Sequence, residues 1–402
     1  MSSSALSPSY AAVLRTPHAS RTFGAALVGR LSYGMVSLAL VLAVKDAAGS
    51  YAVAGGVMAV FGLTSVFLSP ARAALVDRYG PRRVLPPMAA GYAVALGALA
   101  VATARPGVPG AVLGVLAGVA GAGTPPLGPV MRAMWGELLP ERGLLARAYS
   151  LDAVAEEVLF VAGPLLVGGL VKVAAPSVAV GVSAGLVLVG ALALAASPVA
   201  RGWSGAGRAA ASEDGSSGAV VLRVRWAVAV AAGVGVALGA LDLLAIAFAD
   251  EQGAAQVVPW VLAALSAGSA VGGLAYGAVT WRATNRRRLA WLAIGLGAVL
   301  AATGLAPRPW LLVLGAALAG VFVAPAVTTA YLAADESAGP GARTRAGAWV
   351  NTALNAGSAA ATAGAGLLIG RVPLPLCFAL AAVPVLLAGA AAYVARGPQV
   401  HS

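Results

Sequence analysis

Arg30, Asp152, Glu156, Glu157 and Asp242 are ionisable residues set inside apolar stretches long enough to cross a bilayer. A charge at that depth costs about 2.5–3.5 kcal/mol on insertion scales, so it faces protein or a watery cavity and marks a path for a solute or a proton. Asp152 and Glu156 are i, i+4 and share one helical face. Arg30 and Glu156 each fall eight residues into their stretch, about 12 Å deep at 1.5 Å per residue, so depth permits an ion pair. Glu156 and Glu157 are adjacent and project about 100° apart, so only one meets Arg30 well and the other is left to face a cavity. Either Arg30 and a glutamate form a static lock, or one carboxylate titrates and couples solute movement to protons. Asp152 is shallower and is assigned a role at the helix end. Asp242 lies about 24 Å in, too deep to pair with Arg30; either it holds a cation or carries a proton, or it sits partly solvated at the extracellular end.

The elements that must position these groups are membrane helices. The chain of 402 residues is 60% hydrophobic and 10% charged, against about a quarter charged in soluble domains. Twelve apolar runs are long enough to span: 22–44, 51–71, 84–104, 108–131, 148–171, 177–197, 226–249, 256–280, 289–307, 309–332, 346–370 and 373–395. All exceed the length of a barrel strand, so the fold class expected is all-α, twelve transmembrane helices in two six-helix bundles.

The net charge of +12 is carried by short loops between the runs, which speaks for membrane orientation and against nucleic acid. Twenty of the 26 basic residues fall on one side and five on the other, which places both termini in the cytoplasm. Arg72, Arg147 and Arg288 are counted among the twenty loop charges. The polar stretch 198–224 reads as a linker. It divides the chain into a tail (1–21), a first bundle (22–197), a second bundle (225–395) and a tail (396–402). At an offset of 199, Pro126 falls on Pro325, Asp152 on Asn351 and Glu156 on Asn355, as expected for parallel repeats.

The loop Ala73-Ala-Leu-Val-Asp77-Arg78-Tyr-Gly80-Pro-Arg82-Arg83 resembles the signature loop of the major facilitator superfamily, Gly-x-Leu-x-Asp-Arg-x-Gly-Arg-Arg. Ala73 and Pro81 depart from that pattern. The resemblance implies that Asp77 contacts the start of span eleven, near Thr344–Ala346, and locks the halves in an outward-open state. Arg78, Arg82 and Arg83 complete the loop, and Arg132 is expected to join its network. The resemblance also makes spans one and five neighbours and lets spans one, four, seven and ten line the cavity, which favours Asp242. Gly163-Pro164-Leu-Leu-Val-Gly168-Gly169 is similar to the family's antiporter motif, with one residue extra and Leu159 where a glycine is usual. Independently of the family, Pro164 is suited to bending span five and Gly168-Gly169 to close packing.

The expected function is secondary transport of a small organic solute across a bacterial inner membrane by alternating access, with proton-coupled efflux. Uptake of an anionic solute held by Arg30 is the alternative within transport, and a non-transporting sensor or scaffold the alternative outside it. A monomer is expected, with the lipid bilayer, a small molecule and protons as partners. No catalytic residue, metal site or cofactor is read from the chain. There is no nucleophile–base pair, one cysteine (Cys377), and no nucleotide-binding Gly-x-x-x-x-Gly-Lys-Ser/Thr loop.

Overall fold

The computed structural model describes residues 9–139, 142–203, 217–254, 257–338 and 342–394. Span one is Ala19–Ala48, span three Pro81–Thr103, span five Arg142–Leu170 and span six Pro176–Ala195. Spans seven to twelve are Arg225–Glu251, Val258–Ala278, Asn285–Thr303, Pro309–Ala338, Arg343–Leu368 and Leu374–Val394. Spans two and four are each two pieces: Tyr51–Phe67 with Ser69–Tyr79, and Gly110–Gly123 with Leu127–Leu138.

Among the described residues, nine helices are long and apolar enough to cross a membrane, or ten with the bent pair of span two, whose pieces meet at 41°. Span nine falls short because Arg286, Arg287 and Arg288 crowd its first turn. Span eleven falls short because Asn351, Thr352, Asn355, Ser358 and Thr362 dilute its apolar character.

The two halves repeat one packing scheme. Spans one and six, one and five, two and four, and three and six pack together. So do spans seven and twelve, seven and eleven, eight and ten, and nine and twelve. The halves meet where spans two and four touch eleven and where span five touches eight and ten. Apolar side chains turned to the surface, such as Val94, Val115, Leu165, Val271 and Leu387, are exposed, as lipid-facing positions require.

Span one crosses span five at Gly34 and Gly163. A Cβ on either would collide with the backbone of the other helix, so only glycine at both positions allows this approach. Gly168 and Gly169, expected to serve close packing, face open space. The close contact belongs to Gly163 alone of that motif. Span five runs as one helix through Pro164.

Segments assigned to tails and linker hold structure where they are described. Tyr10–Arg15 is a helix with Val13 buried, and the Tyr10 hydroxyl donates to the Leu274 carbonyl at 2.6 Å. Short helices Pro198–Arg201 and Ser217–Arg223 form the two ends of the linker. Residues 204–216 of that linker and the tail 396–402 lie outside the described residues.

Candidate functional site

The site begins with a broken helix. Pro125 and Pro126 supply no N–H, and proline disfavours helical backbone in the residue before it, so span four stops at Gly123 and restarts at Leu127. The break orphans carbonyls. Arg72 takes two of them, donating from Nη1 to Gly121 and Ala122, each at 2.9 Å, and reaches the Ser65 carbonyl with Nη2. The Tyr33 hydroxyl donates to the Pro125 carbonyl. Pro325, a single proline with no second beside it, lies inside an unbroken span ten.

Just past the break, Arg132 from span four enters a four-membered ion cluster. Arg30 Nη1 lies 2.6 Å from Asp152 Oδ1, and Arg30 Nη2 3.0 Å from Glu156 Oε2. Arg132 Nε lies 2.8 Å from Asp152 Oδ2, and Arg132 Nη2 also pairs with Glu156. Arg30, Asp152 and Arg132 are 2%, 0% and 4% exposed, whereas Glu156 is 29% exposed. Each carboxylate meets two guanidinium groups, so the cluster is neutral as a whole. Arg132 also lies over the Tyr331 ring of the other half, 3.7 Å from its centroid, and the Tyr331 hydroxyl approaches Asn351 Oδ1 at 3.4 Å.

Two expectations are corrected here. Asp152 is not a helix-end group: it is the fully buried centre of the cluster. Arg132 does not join the Asp77 loop. Span five buries its Asp152 and Glu156 face against both spans one and four, so two arginines share the carboxylates where the depth argument provided for one.

A cavity of about 280 Å³ adjoins the cluster, and Arg30, Arg72, Arg132, Glu156, Asn351 and Asn355 are among its walls. Both halves therefore contribute polar groups to it. Glu156 pairs with arginine and faces the cavity at once. Of the two adjacent glutamates, Glu156 is therefore the one that meets Arg30, and Glu157 turns to span eight and accepts a hydrogen bond from Ser269 Oγ at 3.1 Å. Asp242 is exposed and is not part of this cavity wall. Among the described residues no cluster of His, Cys, Asp and Glu forms a metal site.

Sequence reasoning missed Arg72, Tyr33 and Tyr331. Arg72 looked like one more loop charge, yet it is buried. The proline pair fifty residues on was the signal: a helix broken in an apolar region needs donors for its carbonyls. Arg147 and Arg288, also read as loop charges, are buried too. Arg147 donates to the Ala278 carbonyl at 2.9 Å and Arg288 to the Tyr276 hydroxyl at 2.8 Å.

At the basic end, Asp77 accepts from the backbone N–H of Thr344 at 3.2 Å and of Arg345 at 2.9 Å. A buried carboxylate thus sits on the N-terminus of span eleven, where the helix dipole favours a negative charge. Gly80 has φ 84° and ψ 151°, a backbone that other residues rarely adopt. Arg78 lies 5.1 Å from the Tyr79 ring centroid. Arg82 and Arg83 are exposed and line a surface recess with Trp203. Nearby, Arg343 bridges Glu137 at 3.7 Å and Asp335 at 3.3 Å, tying span four to spans ten and eleven.

The family model described as Major Facilitator Superfamily matches residues 22–258. The chain belongs to the Major Facilitator Superfamily. It is a multi-pass membrane protein and a member of a transporter family. No curated protein matches it. Among solved structures it is similar to the human organic anion transporter MFSD10 (TETRAN), at 16% identity and TM-score 0.69, covering 94% of this chain and 99% of that one. It is also similar to a bacterial homologue of the iron transporter ferroportin in an outward-facing state, at 12% identity and TM-score 0.76, covering 93% and 98%. At these identities the likeness is one of superfamily fold.

Proposed function

We propose that this protein is a secondary active transporter that moves a small organic solute by alternating access between two six-helix bundles, 22–197 and 225–395. The observation that carries the reading is a polar cavity at the junction of the halves, with the ties between halves concentrated on one side of it. Asp77 with span eleven, Arg147 with Ala278, Tyr10 with Leu274 and Arg343 with Glu137 all lie at the basic end. With that end in the cytoplasm of a bacterial cell, as the positive-inside rule directs, the conformation is closed inward and the cavity belongs to the outer face. Asp77, with Arg78, Gly80, Arg82 and Arg83 around the turn, then serves as the gate that must let go.

We assign proton coupling to Glu157 and Asp242. The cluster carboxylates Asp152 and Glu156 are each opposed by two arginines, whereas among the described residues Glu157 meets a hydroxyl and no cation. An exporter driven by inward proton flow uses such a group. An anionic solute held by Arg30 loses its basis, because Arg30 is already neutralised by Asp152 and Glu156. The two structural relatives are named for different cargoes, an organic anion and iron, and do not choose the solute.

The test is solute movement in proteoliposomes with and without a pH gradient. Glu157→Gln should abolish pH-driven transport and spare solute exchange. Full pH-driven activity in both Glu157→Gln and Asp242→Asn would remove the coupling assignment.

A further inference from the structure

The cavity carries one positive charge that nothing in it opposes. Arg30 and Arg132 are balanced by Asp152 and Glu156. Arg72 shares the same cavity wall and is 6% exposed, yet among the described residues it has no carboxylate partner. Its three hydrogen bonds go to the backbone carbonyls of Ser65, Gly121 and Ala122. A guanidinium has five N–H donors. Three are used, and Nε is buried with no hydrogen-bond partner among the described residues.

Part of that charge answers the C-terminal end of the half-helix Gly110–Gly123, whose dipole is equivalent to roughly −0.5 of a charge. The remainder is uncompensated, and an unpaired buried donor is costly until something accepts from it. A carboxylate or sulfonate supplies both the acceptor oxygen and the missing charge. Val36, Met58, Phe61 and Phe160 stand on the same walls and suit an apolar body.

We propose that the solute is a small organic anion, an aromatic or aliphatic body bearing one carboxylate or sulfonate, whose charged group docks on Arg72. This deepens the transport reading and rests on the cavity being its solute site. The anion-binding group is Arg72 of span two, and the Arg30 cluster beside it is scaffold. A purely structural Arg72, needed only to cap the broken helix, predicts no preference among solutes by charge.

The experiment is equilibrium binding of radiolabelled benzenesulfonate to the purified full-length protein. Competitors are benzoate, phenylphosphonate, benzyl alcohol and benzyltrimethylammonium. The wild type should bind benzenesulfonate, release it to benzoate, and ignore benzyltrimethylammonium. Arg72→Gln should weaken binding about ten- to hundredfold, the worth of a charged hydrogen bond. Arg72→Lys should retain more of it. Asn355→Asp leaves Arg72 and its helix cap untouched but adds a carboxylate to the cavity, and should lower anion affinity comparably. This variant keeps the test open where Arg72→Gln fails to fold. Benzyltrimethylammonium binding as tight as the sulfonate overturns the proposal. So does the absence of binding by every anion, or an affinity unchanged within about twofold in the folded variants. Anion binding without counterflow in proteoliposomes sinks the transport reading alone. Counterflow of the cation without anion binding sinks this proposal alone.

Discussion

Arg132 and Tyr331 occupy the same position in the two repeats, 199 residues apart, and they stack on each other across the junction of the halves at 3.7 Å. The correspondence extends one step further. Arg132 pairs with Asp152, and Tyr331 approaches Asn351, the residue on which Asp152 falls at the same offset. The first repeat holds the ionic version of an arrangement that the second holds in neutral form. Replacing Tyr331 by leucine should remove an attraction of about 0.5–2 kcal/mol between halves, while Tyr331→Phe should keep it. Rates of solute counterflow in proteoliposomes check this, and equal rates in both variants would contradict it.

The cluster itself should be intolerant of single losses. Arg132→Met strips Asp152 and Glu156 of one cation and is expected to cost about 3–5 kcal/mol. Adding Glu156→Gln leaves Arg30 paired with Asp152 and should restore more than half of that loss. Thermal unfolding in detergent across this double-mutant cycle is the measurement, and simple additivity would show that the four groups do not act as a unit.

Asp77→Asn removes the charge and one of two acceptors from the start of span eleven. Charge-assisted bonds of this kind contribute about 1.5–3 kcal/mol, so the balance of closed and open states at the basic end should shift about ten- to hundredfold. Spin labels at the exposed Arg83 and Arg287, in a Cys377→Ser background, read the distance between halves. An unchanged distance distribution would show that Asp77 is no gate.

The crossing of spans one and five should not accept a methyl group. Gly34→Ala and Gly163→Ala are expected to cost about 1–3 kcal/mol through overpacking. Gly168→Ala and Gly169→Ala, which meet open space, should stay within about 0.5 kcal/mol. Melting temperatures of the four variants separate the two pairs.

The helical, multi-span architecture was legible in the sequence because lipid demands long apolar runs, and those runs are unmistakable in this composition. Contact between Asp77 and span eleven was legible because the loop residues carry a family pattern. The cluster was only half legible. Depth along a helix places Arg30 level with Glu156, but it does not say which neighbouring helix covers the rest of the face, so Arg132 went to the wrong partner. Which of Glu156 and Glu157 meets Arg30 stayed open for a related reason: spacing fixes the angle between adjacent side chains, and tertiary packing decides which wall each one meets. Arg72 was illegible by charge counting, since a cation near a helix end looks the same whether it meets water or an orphaned carbonyl.

Span four is interrupted at Pro125-Pro126, while its repeat partner, span ten, continues unbroken past Pro325. A rod carries a push from one end to the other, whereas a joint absorbs it. The two walls of the chamber therefore cannot travel as mirror images. Motion should be lopsided, with the second half swinging as a lever and the first half flexing at its elbow, so that a label placed above the elbow and one below it would report different displacements on a single stroke.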